Sequence, residues 1–244
     1  MKSGEVCIVS GASKGLGADI AEKLLAQDVK VATFSRNRSD RVQAFSEHYA
    51  DAFYWESVDM SDPAALERFV EAVIEKFGRI DGLVNNAAVY LEKPFLDVTL
   101  SDIERLTQIN AVSPIYLTLL CAREMAQGGK GTIVNVSSVT SQKASGGVAS
   151  LYGSIKGTVR ALTINLGQEL GPKGIRVNGV LPGWMTTDMT ANAPEAAVAA
   201  VAAMTPAGHV AQAEEVARVV LFLLSDEAEF VYGQNIVVDG GMSL

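Results

Sequence analysis

The sequence predicts an α/β protein built as one doubly wound domain, a parallel sheet with helices on both faces. Three observations predict it. Short β-rich runs alternate with longer helical patterns along all 244 residues, a length that suits one such domain. Runs such as Thr132-Ile133-Val134-Asn135-Val136 are almost wholly apolar, which marks strands buried on both faces. A glycine-rich turn joins the first run to the first helix, a place where open α/β sheets bind anionic ligands.

The elements follow in order. The first strand spans 6–10, and the chain enters it so early that no signal peptide is expected. After the turn, the pattern predicts a helix over 16–26, a strand over 30–35 and a helix over 38–49. A strand over 53–58 leads to a helix over 63–77, which opens on Ser61-Asp62-Pro63, an N-cap and a first-turn proline, and closes at Gly78. Strands over 82–86, 131–137 and 175–181 are separated by helices over 101–126 and 151–170, the latter ending near Gly171 and Gly174. The alanine-rich stretch 191–203 predicts a short helix above the site. A helix over 213–224 and a strand over 235–238 complete the pattern, and no linker or repeat divides residues 1–244 into further domains.

Composition excludes several functions. A formal net charge of −8 lacks the basic footprint that sequence-independent nucleic-acid binding needs. The apolar stretches, such as 219–224, are too short to span a bilayer. Cys7 and Cys121 make no disulfide framework, which points to a reducing, cytoplasmic setting. His48 and His209 lie in unrelated contexts, so no metal site is expected.

Two motifs carry chemistry. In Ser10-Gly11-Ala12-Ser13-Lys14-Gly15-Leu16-Gly17 the glycines permit a tight turn, let backbone amides approach a pyrophosphate and let the helix pack close to the sheet. The spacing is Gly-x-x-x-Gly-x-Gly rather than the commoner Gly-x-Gly-x-x-Gly. In Tyr152-Gly153-Ser154-Ile155-Lys156 a phenol and an ammonium share one helix face. A cation beside a phenol lowers its pKa, and a phenol tuned toward neutrality can give a proton to a carbonyl oxygen or take one from an alcohol. That spacing is common by chance, but here it has company. Ser137-Ser138 ends a central strand, Asn110 lies in the helix before it, Asn85-Asn86-Ala87-Ala88 ends the fourth strand, and Pro182-Gly183-Trp184-Met185-Thr186-Thr187 follows the sixth.

With these motifs in this order, the whole chain resembles the short-chain dehydrogenase/reductase family. The resemblance implies a Rossmann-like fold with strand order 3-2-1-4-5-6-7. It also implies roles: Tyr152 as proton donor and acceptor, Lys156 lowering its pKa and holding the nicotinamide ribose, Ser138 stabilising the carbonyl oxygen, and Asn110 positioning a water near Lys156. Cofactor contacts are implied for Gly11, Ser13, Lys14, Gly15, Leu16, Gly17, Ser35, Arg36, Asp59, Met60, Asn86, Ala87, Pro182, Gly183, Met185 and Thr187 as well as Tyr152 and Lys156. Val238-Asp239-Gly240-Gly241 matches the family's C-terminal end. Three departures stand out: Ser10 replaces a threonine, Ala88 replaces the last glycine of Asn-Asn-Ala-Gly, and Ser137 competes with Ser138 for the catalytic assignment.

The second strand ends Thr33-Phe34-Ser35-Arg36-Asn37-Arg38 without the acidic residue that binds a ribose 2′-hydroxyl. Arg36 can instead fork onto a 2′-phosphate, with Lys14 reaching the same group, so NADP(H) is the expected cofactor. Within the family the likeness is greatest to bacterial 3-oxoacyl-[acyl-carrier-protein] reductases, which implies a 3-oxoacyl thioester as substrate, with an acyl carrier protein as a candidate partner. Against this, Gly129 stands where an arginine is often found, with Lys130 and Lys173 as candidate substitutes, and the wall 139–151 looks one residue longer. A ketoreductase acting on a free or cyclic ketone is therefore the alternative, and a non-catalytic cofactor-binding regulator a third. Apolar residues around the two long helices, Ile115, Leu117, Leu119, Leu120, Leu162, Ile164 and Leu166, predict burial on a second side, and the resemblance implies a homotetramer.

Overall fold

The computed structural model of the chain describes residues 1–144, 148–186 and 193–244. In chain order the elements are β1 (Val6–Ser10), α1 (Gly15–Leu25), β2 (Lys30–Ser35), α2 (Asp40–His48), β3 (Phe53–Ser57), α3 (Pro63–Phe77), β4 (Gly82–Asn85), α4 (Leu100–Thr107), α5 (Ser113–Gly128) and β5 (Gly131–Val136). Then come α6 (Ser150–Leu170), β6 (Ile175–Pro182), β7 (Met185–Thr186), α7 (Glu195–Met204), β8 (Ala211–Gln212), α8 (Ala213–Leu224) and β9 (Asn235–Val238). Seven strands pair in parallel in the order β3-β2-β1-β4-β5-β6-β9, the expected topology with β9 as the seventh strand.

Every residue of β1, β4, β5 and β6 is buried, as uniformly apolar central strands require. On one face Leu24 of α1, Phe45 of α2 and Val216 and Val220 of α8 form the core; on the other, Phe69 of α3 and Leu117 and Met125 of α5 do, with Leu166 of α6 against them. Leu117 thus belongs to the intramolecular core, contrary to its expected place on a second buried side, while Ile115, Leu119 and Ile164 remain exposed. No helix among the described residues is long and apolar enough to cross a membrane.

Local chemistry explains most boundaries. The Asp62 carboxylate accepts hydrogen bonds from the Ala64 and Ala65 amides, Pro63 opens α3, and Gly78 closes it at φ 78°. Ser39 caps α2 from an extended conformation, which delays that helix to residue 40 rather than 38. The expected single helix over 101–126 is two helices, α4 and α5, joined by a π-helical turn at Gln108–Val112. The helix expected over 191–203 begins only at Glu195, after Pro194, and residues 191 and 192 lie outside the described residues. A buried chain of amides and hydroxyls crosses the centre of the sheet: Asn85 Nδ2 donates to Thr118 Oγ1 and Asn135 Oδ1, and Asn135 Nδ2 to Thr163 Oγ1.

Candidate active site

The glycine turn is tied down from three sides. Gly11 takes φ 71° and lies so close to the end of β4 that an added Cβ would stand 2.9 Å from Ala87 Cβ; one on Gly17 would stand 2.5 Å from the Gly11 carbonyl oxygen. Ser10, in place of threonine, keeps a hydroxyl that accepts from the amides of Asn86 and Ala87, and the Asn86 side chain donates back to the Ser10 and Gly11 carbonyls. Ser39 Oγ donates to the Ser13 carbonyl at 2.6 Å, which joins the turn to the β2–α2 loop that carries Arg36. Ala88 costs no strain, because Asp28 alone has a positive φ among the described non-glycine residues.

This turn fits the anionic part of a dinucleotide. Lys14 caps α1 through its backbone only, with no side-chain hydrogen bond, and the first helical turn carries no acid, so the opening amides of an 11-residue helix face an uncontested anion position. Lys14 and Arg36 are exposed beside it, and Leu16 and Gly17 are buried beneath. Ser35 Oγ accepts from Trp55 Nε1 and donates to the Asn37 carbonyl, which fixes the end of β2. Asp59, also exposed, accepts from the Ser61 amide and hydroxyl, and these bonds, helped by the nearby Arg36 charge, hold its carboxyl below the usual range. Met60 is buried behind it.

Tyr152 and Lys156 are both buried on α6, with the Lys156 Nζ 5.9 Å from the Tyr152 ring centre. Gly153 makes the approach of this helix possible, since a Cβ there would stand 2.6 Å from the Thr140 carbonyl oxygen. Lys156 Nζ donates to the Val136 carbonyl at 2.8 Å, two residues before Ser138 at the C-terminal end of β5. The competing serines separate cleanly. Ser137 is buried and its hydroxyl donates to the Lys156 carbonyl. Ser138 is only partly buried; its oxygen accepts from the Thr140 amide and hydroxyl, so among the described residues its own hydrogen is left to donate.

One expectation needs correction. The phenol of Tyr152 is not lowered in this arrangement. Burial, and then Tyr90, push it well above its ordinary value, while burial also lowers Lys156 to about 8 and its ammonium is turned to a carbonyl rather than to the phenol. The Asn110 side chain is engaged by Val89. Its Oδ1 accepts from the Val89 amide at 2.9 Å and its Nδ2 donates to the Val89 carbonyl at 2.7 Å, a two-way clasp made possible by the π-helical turn that carries it.

Pro182 ends β6, Gly183 and Met185 follow it, and Gly183 packs against Asp239, whose carboxylate accepts from the Gly241 and Ser243 amides. Thr187 lies outside the described residues, as do Ser145, Gly146 and Gly147 of the wall. Within the single chain, Lys130 and Lys173 lie away from Tyr152. They precede β5 and β6, at the N-terminal ends of the strands and so opposite the ends near Tyr152, and six residues of β5 span about 20 Å. Lys130 is moreover paired with Glu5 and Asp226.

Sequence reading missed Tyr90. Its ring meets that of Tyr152 edge to face, centroids 4.9 Å apart at 81°. The run Val89-Tyr90-Leu91, aromatic and apolar directly after the fourth strand's asparagines, was the available signal.

Residues 11–243 match the family model described as Enoyl-(Acyl carrier protein) reductase. The chain is 32% identical over 239 residues to the 3-oxoacyl-[acyl-carrier-protein] reductase of Escherichia coli strain K12, covering 98% of this chain and 97% of that protein. It is 33% identical to a 3-alpha-(or 20-beta)-hydroxysteroid dehydrogenase of Mycobacterium bovis, covering 98% of this chain and 89% of that protein. The crystal structure of levodione reductase superposes on it with a TM-score of 0.93 at 31% identity, covering 100% of this chain and 99% of the other.

Proposed function

The chain belongs to the short-chain dehydrogenase/reductase family, oxidoreductases that use a nicotinamide dinucleotide, and from that premise we propose that it reduces a ketone to a secondary alcohol with NADPH. The observation that carries the reading is the approach of the helix bearing Tyr152 and Lys156 to the strand end that bears Ser138, with the Ser138 hydroxyl hydrogen unspent among the described residues.

When bound, the nicotinamide supplies the hydride. The chain's residues do the rest. Ser138 donates its hydroxyl hydrogen to the carbonyl oxygen, and its own oxygen is polarised by the two Thr140 donors. Tyr152 gives its phenolic proton to the same oxygen; a phenol pushed upward by burial stays protonated at neutral pH, which suits a donor in the reductive direction. Lys156, buried on the same helix and lowered by burial to about 8, holds the nicotinamide ribose beside the phenol. Asn110 fixes the backbone at Val89 beside the phenol. Lys14 and Arg36 bind the 2′-phosphate, Ser13, Gly15 and the α1 amides the pyrophosphate, and Asp59, Asn86 and Ala87 the adenosine side.

The substrate we propose is a free ketone on an apolar body. Within one chain, Lys130 and Lys173 lie at the strand ends opposite Tyr152, and Lys130 is paired with Glu5 and Asp226, which leaves the carrier reading with less support from this chain alone. A 3-oxoacyl thioester is the second reading, supported by the full-length likeness to the Escherichia coli reductase. Initial rates of NADPH and NADH oxidation on free ketones, acetoacetyl-coenzyme A and its carrier-linked form test all of this. Preference for NADPH with free ketones is expected; equal use of both nucleotides removes the Arg36 and Lys14 assignment, and selective use of the carrier-linked form restores the second reading.

A further inference from the structure

Tyr90 is the large aromatic closest to the reaction centre that the mechanism leaves unused. Its ring stands edge to face on Tyr152, yet it is 42% exposed where Tyr152 is 9% exposed. A side chain that touches a buried catalytic phenol and still keeps almost half its surface open borders the space from which that phenol is reached. Its place is not left to loop motion. The residue before it is clasped at both backbone groups by Asn110, and Lys93, three residues on, donates its amide to the Val148 carbonyl of the substrate wall at 2.8 Å and its Nζ to Asp102 at 2.7 Å. Val89 and Leu91 pack into the same small cluster as Tyr152, Leu106, Ala111 and Ile155. Tyr90 therefore sits on a segment pinned before and after it, and presents a rigid aromatic surface with only two side-chain torsions to order.

From this geometry we infer that Tyr90 is a specificity-determining wall of the active site, selecting ketones whose carbonyl belongs to or adjoins a flat ring. A ring delivered with its carbonyl oxygen toward Tyr152 and Ser138 meets an aromatic partner at once, whereas a flexible acyl chain must lose torsional freedom to use the same surface. The inference rests on the reductase reading above and narrows its substrate class.

The test measures kcat and KM for a flat-ring ketone, acetophenone or 1-indanone, against a straight-chain ketone of equal carbon number, in the wild-type protein and in Tyr90→Ala, Tyr90→Leu and Tyr90→Phe. The ratio of kcat/KM for ring over chain is expected to fall about tenfold in Tyr90→Ala, chiefly through KM, as loss of an aromatic pairing implies. Tyr90→Leu should fall nearly as far, because it is apolar without a π-face, and Tyr90→Phe should hold the wild-type ratio. NADPH binding followed by fluorescence checks that each variant is folded. A ratio that moves less than twofold in both Tyr90→Ala and Tyr90→Leu, or equal loss on both substrates, overturns the inference while leaving the reductase reading intact. Failure of the wild-type protein to oxidise NADPH with any ketone would instead overturn that reading.

Discussion

At the scale of single residues the site is defined by what burial does to two ionisable groups. Tyr152 keeps its proton and Lys156 is weakened to about 8, both because desolvation disfavours the charged form. Tyr152→Phe should therefore cost about 10²-fold or more in turnover with NADPH binding largely kept, since the phenol is the proton source and no phosphate ligand. Near-normal turnover in that variant would sink the mechanism. Lys156 adds a stability consequence. Its pKa is lowered on folding, so the unfolded chain binds the proton more strongly, and stability from this group is complete only above the unfolded value near 10.5 and lost as pH falls through about 8. Replacing it with Met should raise the unfolding free energy at pH 7 by on the order of 1–3 kcal/mol while abolishing turnover. Denaturant midpoints at pH 7 and pH 9.5 check this: the gain should shrink at the higher pH, and a loss of stability at pH 7 would show that the bond to Val136 outweighs the desolvation.

At the scale of elements, strands and most helices were legible because period, caps and glycine stops all agreed, as at Asp62, Pro63 and Gly78 around α3. The π-helical turn was not, because one extra residue in a helix leaves the apolar spacing of 101–126 almost unchanged; its sign is the polar Asn110 at a buried position, which reads equally as a catalytic residue. The serine assignment was half legible for a related reason: both hydroxyls end β5, and only the partner of Ser137, the Lys156 carbonyl from another element, separates them. Lys130 and Lys173 precede their strands, so within one chain they lie at the ends opposite those that carry the site, and whether an assembly brings them to an entrance is not written in one sequence. The junction between α7 and α8 carries a prediction of its own. His209 Nδ1 stands 3.1 Å from the Ala207 carbonyl and Nε2 3.1 Å from Glu215 Oε1, so both ring nitrogens face acceptors and the charged form is favoured. Glu215 also accepts from the Gln212 amide, and Glu214 next to it is held by Lys23 and Arg218. The stabilisation is present below the free-histidine value near 6.5 and lost as pH rises through the raised one. An NMR titration of the His209 ring should give a midpoint above 6.5 that falls toward it in Glu215→Gln, with the Ala207 carbonyl still in place; an unmoved midpoint would dissociate the two residues.

At the scale of the whole molecule, Ile115 and Leu119 on α5 and Ile164 on α6 are exposed in the single chain, an apolar set that a second copy would cover. The expected assembly is a homotetramer using these helices. Light scattering at micromolar concentration should report it, and Leu119→Glu with Ile164→Glu should reduce the mass; a stable monomer in the unaltered protein would refute the proposal. The polar chain through the middle of the sheet has a different consequence, one that concerns how the chain finds this arrangement. Central strands made only of valine and isoleucine have little to tell a correct alignment from one slid by two residues, because the same face stays inward and the apolar contacts are nearly as good. Asn85 and Asn135 stand directly opposite each other, fifty residues apart in sequence. Sliding β4 along β5 by two positions would set Asn85 against Ile133 or Ser137 and leave Asn135 facing an aliphatic neighbour, at about 1–3 kcal/mol for each stranded buried amide. The two amides thus act as an alignment key, making a mispaired long-range contact reject itself before the catalytic strand ends are fixed in the wrong order of height.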